Sequence, residues 1–397
     1  MVITSRERIL NTLEYEEIEY IPCSFMLFFN LYEKCHSQKE SIERELELGL
    51  DAFVNVGRLK HSFHPDVKCI EWIEKKDEEL FFYRRLETPE GPLTQKVQQR
   101  HKWPTCEDFP LLDDRIVSRA EEVLVKPEAD LEKLKYIFGP PRKEDLEKLK
   151  EESKTSKMIA RKNGLLQVAG CMGWRDPNAD YSRYKIAGAD IISWLSGYED
   201  IMVLSLLRPD LIKEYLDIIG DWNIKQIEIY LDITDADLII RRAWYETVEF
   251  WTPEAYKNLI LPTVKREADL VHQAGKKYGY IITSAFMPII DHIIESGVDI
   301  LIGVDPKEGK GTDMALMKEK FLSNKKALWG GVSGSLTIEN DDEEKTEQAV
   351  IEALKLLGKG GGFILSPVDN VRENTKNAWN NTYKMISTWK KYRKSVL

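Results

Sequence analysis

Residues 237–283 read DLIIRRAWYETVEFWTPEAYKNLILPTVKREADLVHQAGKKYGYIIT and contain one complete strand-helix-strand pattern. The apolar run 238–240 predicts a buried strand, and the apolar run 278–282 predicts a second one. Between them, Thr252-Pro253 marks the start of a helix, because proline fits the first helical position, where its missing N–H is not needed. Two apolar strands joined by a single helix are typical of parallel α/β proteins.

The same pattern repeats in both directions along the chain. Eight apolar strand candidates lie at residues 21–25, 51–56, 165–170, 237–242, 277–283, 298–304, 327–331 and 362–366. Eight parallel strands close a barrel, so the sequence predicts an α/β protein with a (β/α)8 TIM barrel, whose site lies at the C-terminal ends of the strands. The alternative is an open doubly wound sheet with a second domain, although no GxGxxG motif opens a helix in the first unit.

Four glycines (Gly358, Gly360, Gly361, Gly362) precede the last strand candidate. A phosphate-binding loop places its glycines after a strand and before a helix. Here the glycines follow the helical pattern 343–357 and precede a strand. They therefore predict a helix end and a tight connection into the strand.

A barrel of this kind takes about 250 residues, so roughly 150 residues remain for N-terminal helical and β-hairpin insertions. Residues 69–101 alternate between apolar and polar side chains around turn signals at 76–77 and 89–91, as antiparallel hairpins do. Residues 104–163 carry charged helical patterns. We expect a single domain over residues 1–397, with an insertion at 69–163 between barrel strands 2 and 3 and its hairpins near the barrel mouth.

Composition narrows the class of protein. Of 397 residues, 43% are apolar, and the formal net charge is -10 without a basic stripe, which argues against nucleic acid as a partner. The start MVITSRERIL lacks the apolar segment of a secretory signal, and no apolar stretch approaches the ~20 residues that span a bilayer. Five widely spaced cysteines without a CxxC motif fit reduced thiols. We expect a soluble, cytoplasmic protein without a membrane partner.

The strand at 237–242 ends in two adjacent arginines, Arg241 and Arg242. Side chains alternate along a strand, so one arginine is expected to point into the barrel and the other toward the helices. An inward guanidinium binds a carboxylate or phosphate of a substrate through two parallel hydrogen bonds. The alternative is that both arginines form structural ion pairs with acids such as Glu246 and Asp237.

Further candidates follow the predicted strand ends. Glu246 and Asp305 are candidate general acids or bases, because burial at a barrel mouth raises the pKa of a carboxyl group. The alternatives are a solvated surface glutamate and a turn-forming aspartate in the sequence GVDP. The remaining candidates for the substrate pocket are Met172, Trp244, Tyr245 and Thr283, with Phe250 and Phe286 as further aromatic walls.

Histidines and cysteines do not form a recognisable metal motif. The segment HSFHPDVKC contains His61, His64 and Cys69, and Cys35 precedes His36, but neither group has the spacing of a zinc site. We expect no metal and no cofactor bound by this chain.

Several segments resemble the uroporphyrinogen decarboxylase superfamily, which includes corrinoid-linked methyltransferases. They are TSRERILNTLEYEEIEYIP, ETPEGPLTQKV, the stretch 250–301, WGGVSG and GGGFILSP, and the resemblance covers nearly the whole chain. It implies a (β/α)8 barrel with its cleft at the strand C-termini, and it implies catalytic use of the position of Asp369.

The residues implied by this resemblance do not all match. Zinc-dependent members carry His-x-Cys where this chain has Ile281-Ile282-Thr283, and a cysteine near Asp369. Decarboxylase members carry an arginine-rich segment where this chain reads SFMLFFNLYEK.

Three functions stay open from the sequence. The first is transfer of a methyl group from a small methylated, anionic compound to a corrinoid carried by a partner protein, with an arginine as anchor and a carboxyl group as acid. The second is decarboxylation of a carboxylated substrate. The third is a barrel that binds a ligand without catalysis.

Overall fold

The computed structural model describes residues 3–170 and 186–395. Its strands, in chain order, are β1 (Phe53–Asn55), β2 (Lys68–Lys76), β3 (Glu79–Thr88), β4 (Gly91–Gln98), β5 (Ala120–Glu122), β6 (Leu166–Gly170), β7 (Leu238–Arg242), β8 (Lys277–Ile281), β9 (Ile300–Val304), β10 (Ala327–Ser333) and β11 (Phe363–Val368).

Its α-helices are α1 (Ser5–Glu14), α2 (Phe29–Tyr32), α3 (Gln38–Glu47), α4 (Asp114–Val117), α5 (Pro127–Asp130), α6 (Leu134–Ile137), α7 (Lys143–Asn163), α8 (Ala189–Ser196), α9 (Tyr198–Leu207), α10 (Pro209–Ile233), α11 (Pro253–Ala255), α12 (Leu261–Gln273), α13 (Ile290–Glu295), α14 (Met314–Ser323), α15 (Glu343–Leu357) and α16 (Lys376–Tyr392). Short 3₁₀ turns lie at Leu131–Lys133 and Met287–Ile289, and π-helical turns lie at Tyr256–Ile260 and Gly334–Asn340.

Within the described residues, seven parallel strands form one sheet in the order β1-β6-β7-β8-β9-β10-β11. The segment around Cys23 takes the eighth place. The Ser24 amide donates to the Leu365 carbonyl at 3.0 Å, and the Asp51 amide donates to the Cys23 carbonyl at 2.8 Å, so both edges of the sheet meet this segment. The predicted (β/α)8 barrel is confirmed.

The first predicted strand, 21–25, is reduced to a single parallel bridge between Cys23 and Leu365. Proline has no N–H, so Pro22 cannot donate a hydrogen bond to a strand ladder, and only its carbonyl is used, by the Leu365 amide at 2.9 Å. The first predicted strand therefore completes the barrel as an irregular segment with a single bridge, and not as a regular strand.

The barrel interior is filled by alternate residues of its strands. Leu238 and Ile240 belong to the interior cluster together with Trp329, whereas Ile239 packs with the outer helices. Ile9 of α1 joins the interior cluster, and Arg6 of the same helix pairs with Asp237 at 2.7 Å just before β7. Helix α1 therefore covers the N-terminal end of the barrel and leaves the C-terminal end for a site.

The predicted glycine connection leads from α15 into β11. Gly360, Gly361 and Gly362 have φ angles of 80°, 83° and 66°, which favour glycine. A Cβ atom on Gly362 would lie 2.2 Å from the Tyr15 hydroxyl oxygen. These glycines therefore serve a turn and a close contact.

A second, antiparallel sheet has the order β2-β3-β4-β5 and lies between β1 and β6 in the chain, as the hairpin pattern predicts. Leu86 and Leu93 on one face are buried in the main core, whereas Ile73 on β2 is 40% exposed. Helix α4 follows this sheet. Helix α7 closes the segment and packs on the barrel, where the Ser156 hydroxyl donates to the Asn55 carbonyl at 2.6 Å.

The apolar stretch IMVLSLL lies in the ten-residue helix α9, where Leu206 and Leu207 are exposed. Across residues 3–170 and 186–395, every helix is too short or too polar to cross a membrane.

Candidate active site

A cavity of about 240 Å³ opens at the C-terminal end of the barrel. Its lining residues follow β7, β8, β9 and β11, and they are Trp244, Thr283, Ser284, Asp305, Glu308, Val368, Asp369 and Arg372. The structure therefore brings together four of the residues selected from the sequence: Trp244, Thr283, Asp305 and Asp369.

Asp305 follows β9 and is 2% exposed. Its Oδ1 accepts hydrogen bonds from the amides of Lys307 and Glu308, both at 2.8 Å. Burial raises the pKa of this carboxyl group, and the hydrogen bonds from these amides and from Ser333 oppose that shift. Asp305 therefore forms a turn, which is the alternative considered from the sequence, and it also lines the cavity.

Asp369 follows β11 with a φ angle of 60°, a conformation in which aspartate is enriched among non-glycine residues. Its Oδ2 accepts a hydrogen bond from Arg372 at 3.3 Å, and its Oδ1 is buried without a hydrogen-bond partner among the described residues. Burial raises the pKa of Asp369, while the charges of Arg372 and Arg242 oppose the shift. A carboxyl group in this state is suited to hold and release a proton.

Arg242 has the same direction along β7 as Leu238 and Ile240 and is 1% exposed. Its guanidinium pairs with Asp190 of α8 and with Asp114 of α4, the latter at 2.7 Å. The Trp244 ring lies 3.9 Å from the guanidinium carbon, which joins this cluster to the cavity wall. The inward arginine thus forms ion pairs with two carboxylates of the protein itself.

Asp190 is fully buried in α8. Burial raises the pKa of its carboxyl group to about 6, with Arg242 acting in the opposite direction. The charges of Glu246 and Asp114 raise this pKa further. Counted over the described residues alone, the cluster therefore holds more negative than positive charge when Arg242, Asp190 and Asp114 are all ionised.

Asp114 of α4, which belongs to the insertion, contacts residues at and after the end of β7 and a residue of α8. Its Oδ1 accepts hydrogen bonds from the Tyr245 hydroxyl at 2.6 Å and from Trp194 Nε1 at 2.9 Å, in addition to the contact with Arg242. Tyr245 packs edge-on against Tyr198 and Phe250, with ring centroids 5.0 and 5.5 Å away. Within the insertion, α4 thus contacts the barrel rim through the side chain of Asp114.

Arg241 points to the opposite side of β7 and is fully buried among the outer helices. Its guanidinium pairs with Glu246 at 2.6 Å and with Glu267 of α12 at 2.7 Å. These two carboxylates also accept hydrogen bonds from the hydroxyls of Tyr280 and Tyr278. For Arg241, the structural ion pair that the sequence left open is the observed arrangement.

Glu246, a predicted catalytic acid, is fully buried in this network and is not part of the cavity wall. Its Oε1 also accepts a hydrogen bond from the Ala189 amide at 3.1 Å. The structure therefore gives Glu246 the role of neutralising Arg241 and fixing the start of α8. Met172, another predicted site residue, lies outside the described residues.

The residues present do not fit a zinc ion. At the positions where zinc-dependent members carry their ligands, Ile281 packs in the barrel interior, and Thr283 and Asp369 line the cavity. The described lining of this cavity contains neither cysteine nor histidine. His61 is partly buried, with its Nε2 2.8 Å from the Ile137 carbonyl oxygen, and desolvation lowers its pKa to about 4. Among the residues that the structure describes, no group of three or more His, Cys, Asp or Glu has an arrangement suited to a metal.

Four functional candidates escaped sequence reasoning. Glu308 and Arg372 lie three residues beyond Asp305 and Asp369, respectively. A search for polar residues that extends further past each predicted strand end would have found them. Asp190 and Asp114 lie in other segments of the chain, and Asp114 is 128 residues from its partner Arg242. Local sequence carries no signal for such a pair.

Comparison with known proteins supports the family resemblance. The family model described as uroporphyrinogen decarboxylase (URO-D) matches residues 189–379, which contain β7 to β11. No curated protein sequence matches this chain at a significant level.

Two solved structures are similar to this chain over nearly its whole length, and the first of them shows the fold. A methyltransferase from Methanosarcina mazei has a TM-score of 0.60 and 15% sequence identity, over 98% of this chain and 99% of that chain. A B12-independent methionine synthase from a Shewanella species has a TM-score of 0.41 and 10% identity, over 95% of this chain and 98% of that chain. These findings show that residues 189–379 are similar to the uroporphyrinogen decarboxylase family, and that the chain shares the barrel fold of the methyltransferase.

Proposed function

We propose that this protein transfers a methyl group from a small methylated compound to a corrinoid carried by a separate protein. The observation that carries the proposal is the cavity at the strand C-termini, in which Asp305 and Asp369 both have a raised pKa. The structural similarity to a methyltransferase over almost the full length of both chains supports the fold on which this proposal rests.

The chemistry requires an acid at the cavity wall. When the bond between the methyl carbon and its heteroatom breaks, the electron pair stays on the heteroatom, which needs a proton to leave as a neutral group. Asp369 donates this proton, since its Oδ1 has no hydrogen-bond partner among the described residues. Asp305, held by two backbone amides, orients the departing group or shares the proton.

The remaining residues bind the donor and keep water out. Trp244 forms an apolar wall, and Thr283 and Ser284 supply hydroxyl groups for hydrogen bonds. Arg242 anchors an anionic group of the donor from behind Trp244. The corrinoid of the partner supplies the nucleophile and the electron pair for the new bond to the methyl group.

The test is a methyl-transfer assay with reduced cobalamin as acceptor and a panel of methoxylated benzoates as donors, followed by the change in the cobalamin spectrum. We expect turnover by the parent, and a loss of about 100-fold or more in kcat/KM for Asp369→Asn. Asp342→Asn is the matched control, because Asp342 is an N-cap residue of α15 and asparagine caps helices equally well.

The pH profile of the same assay has a defined sign. The acid must be protonated in the free enzyme, so kcat/KM falls as pH rises through the raised pKa of the acid. The Asp369→Asn variant is expected to lose this basic limb. A parent that shows no turnover with any donor, or a variant with an unchanged rate and profile, would contradict the proposal.

Decarboxylation is the second candidate, because the matching family model carries the description of a decarboxylase. Release of CO2 from the same benzoates, without any change in the cobalamin spectrum, would favour it. Binding of a benzoate without either product would instead favour a barrel that only binds its ligand.

A further inference from the structure

Four hydrogen bonds from the barrel rim converge on the carboxylate of Asp114. Arg242 Nη2 donates to Oδ1 at 2.9 Å and to Oδ2 at 2.7 Å. The Tyr245 hydroxyl donates to Oδ1 at 2.6 Å, and Trp194 Nε1 donates to the same oxygen at 2.9 Å. A guanidinium, a phenol and an indole N–H directed at two oxygens form a receptor for a carboxylate.

This receptor is built without the insertion. Arg242 lies on β7 with its other amino group on Asp190, and its guanidinium lies against the Trp244 ring. Asp190 also accepts a hydrogen bond from the Tyr245 amide at 3.3 Å. Trp194 is 1% exposed in α8. The donors are therefore held by barrel elements and keep their positions when the carboxylate between them changes.

The start of α8 is fixed by the buried network around Arg241. The Ala189 amide donates to Glu246, and Asn223 Nδ2 donates to both the Ala187 carbonyl and Glu267. A Cβ atom on Gly188 would lie 2.0 Å from Arg241 Nη2, so α8 begins directly against this network. The second arginine thus supports the receptor formed around the first.

Asp114, by contrast, belongs to the insertion. It opens the four-residue helix α4, whose buried Ile116 packs with Val97 and Trp103 in a small cluster of the insertion, separate from the barrel interior. The Asp114 side chain is 40% exposed at the barrel mouth. Val117 of α4 packs against the main core, so a carboxylate that replaces Asp114 moves the Asp114 side chain off the rim while the rest of α4 stays in place.

We propose that the Arg242–Tyr245–Trp194 receptor binds the carboxylate of the substrate, and that Asp114 is an internal carboxylate which the substrate replaces. The inference rests on the proposed function for the identity of the ligand as substrate. Arg242 already faces Asp190 and Asp114, so a third carboxylate beside them meets like charge. Replacement of Asp114 keeps the charge of the cluster constant and couples binding to the release of the Asp114 side chain from the rim, which loosens the first turn of α4.

The test measures binding of benzoate by calorimetry to the full-length protein, without any corrinoid. Asp114→Ala removes the competing carboxylate, so we expect benzoate to bind about tenfold or more tightly than it binds the parent, because a receptor occupied by its own side chain reduces apparent affinity. Benzamide, the neutral analogue, is expected to gain nothing. Asp113→Asn is the matched control, since Asp113 caps α4 and bonds to Arg115 without reaching the rim.

Two further variants and a hydrogen-exchange measurement make the outcome decisive. Arg242→Gln added to Asp114→Ala is expected to abolish the gain, and Asp114→Asn provides a second variant of nearly the same shape. In the parent, saturating benzoate is expected to speed hydrogen exchange of the Ile116 and Arg119 amides, which bond within the α4 turn.

Equal or weaker benzoate binding by both Asp114 variants overturns the inference, and so does unchanged hydrogen exchange at α4 in the parent. Asp114 is then a structural contact between α4 and the barrel rim. Because binding is measured without methyl transfer, absence of turnover in the methyl-transfer assay leaves this result intact. Conversely, turnover without the gain in affinity rejects the replacement of Asp114 by the substrate and leaves the proposed methyl transfer intact.

Discussion

Two neighbouring residues of identical chemistry have opposite roles in this protein. Arg242 faces the barrel mouth with Asp190 and Asp114, and Arg241 faces the helical layer with Glu246 and Glu267. The alternation of side chains along a strand predicts this division. It does not say which arginine faces inward, because that depends on how β7 lies between β6 and β8.

Replacement of Arg241 by methionine is expected to destabilise the fold. It leaves two buried carboxylates without their cation, and breaking such a pair from one side destabilises by about 3–5 kcal/mol. Urea denaturation measures the free energy of unfolding, and benzoate calorimetry measures ligand affinity.

Arg242→Met is the paired control for this prediction. We expect it to weaken benzoate binding much more than Arg241→Met does, because Arg241 acts on the receptor only indirectly, through the start of α8. An Arg241→Met protein as stable as the parent would show that the outer network contributes no net stability.

At the scale of elements, the hairpin pattern of residues 69–101 correctly predicts β2, β3 and β4, and their turns lie where the turn signals stand. The first barrel strand was expected over five residues and is a single bridge, since Pro22 removes one donor from the ladder. The sheet's contact with the main core through Leu86 and Leu93 was not visible in the sequence, because both faces of the hairpin carry apolar residues.

The packing of this sheet on the main core is testable by truncation. Leu86 is fully buried in the main core cluster, so Leu86→Ala is expected to lower the free energy of unfolding by about 2–5 kcal/mol. Ile73, 40% exposed on β2 of the same sheet, is the control, and Ile73→Ala is expected to change stability by about 0.5 kcal/mol or less. A single transition shifted as a whole is the expected result in urea denaturation. A separate early transition for the sheet, with the main one unmoved, would show that the sheet unfolds independently of the barrel.

At the scale of the whole molecule, the barrel brings the loops after β7, β8, β9 and β11 to one cavity, and α4 comes to its edge from the insertion. The resemblance to this family implies zinc in some members, and the residues at the corresponding positions here are Ile281, Thr283 and Asp369.

We therefore predict no stoichiometric zinc in the purified protein. Zinc in proteins is bound by cysteine, histidine or carboxylate groups, and structural sites use four of them. Elemental analysis is expected to find far less than one zinc per chain, and treatment with a chelator is expected to leave the melting temperature unchanged. About one zinc per chain that is lost in His61→Ala or His64→Ala would contradict this prediction.

The sequence by itself determined the features that depend on local periodicity and turn chemistry. These are the parallel strands around residues 237–283, the hairpins of the insertion, the glycine connection into β11, and the residues that follow each strand. In a barrel all strand ends of one kind lie on one face, so this local information also predicts that Thr283, Asp305 and Asp369 lie close together.

Only the tertiary structure decided which charges pair. The contact between Asp114 and Arg242 joins residues 128 positions apart, and Glu267 reaches Arg241 from a helix beyond the strand end. Such pairs depend on the path of the insertion and on the packing of helices around the barrel. A buried charge is stable only beside its partner, so the pairing is set by three-dimensional contacts that no local pattern of residues contains.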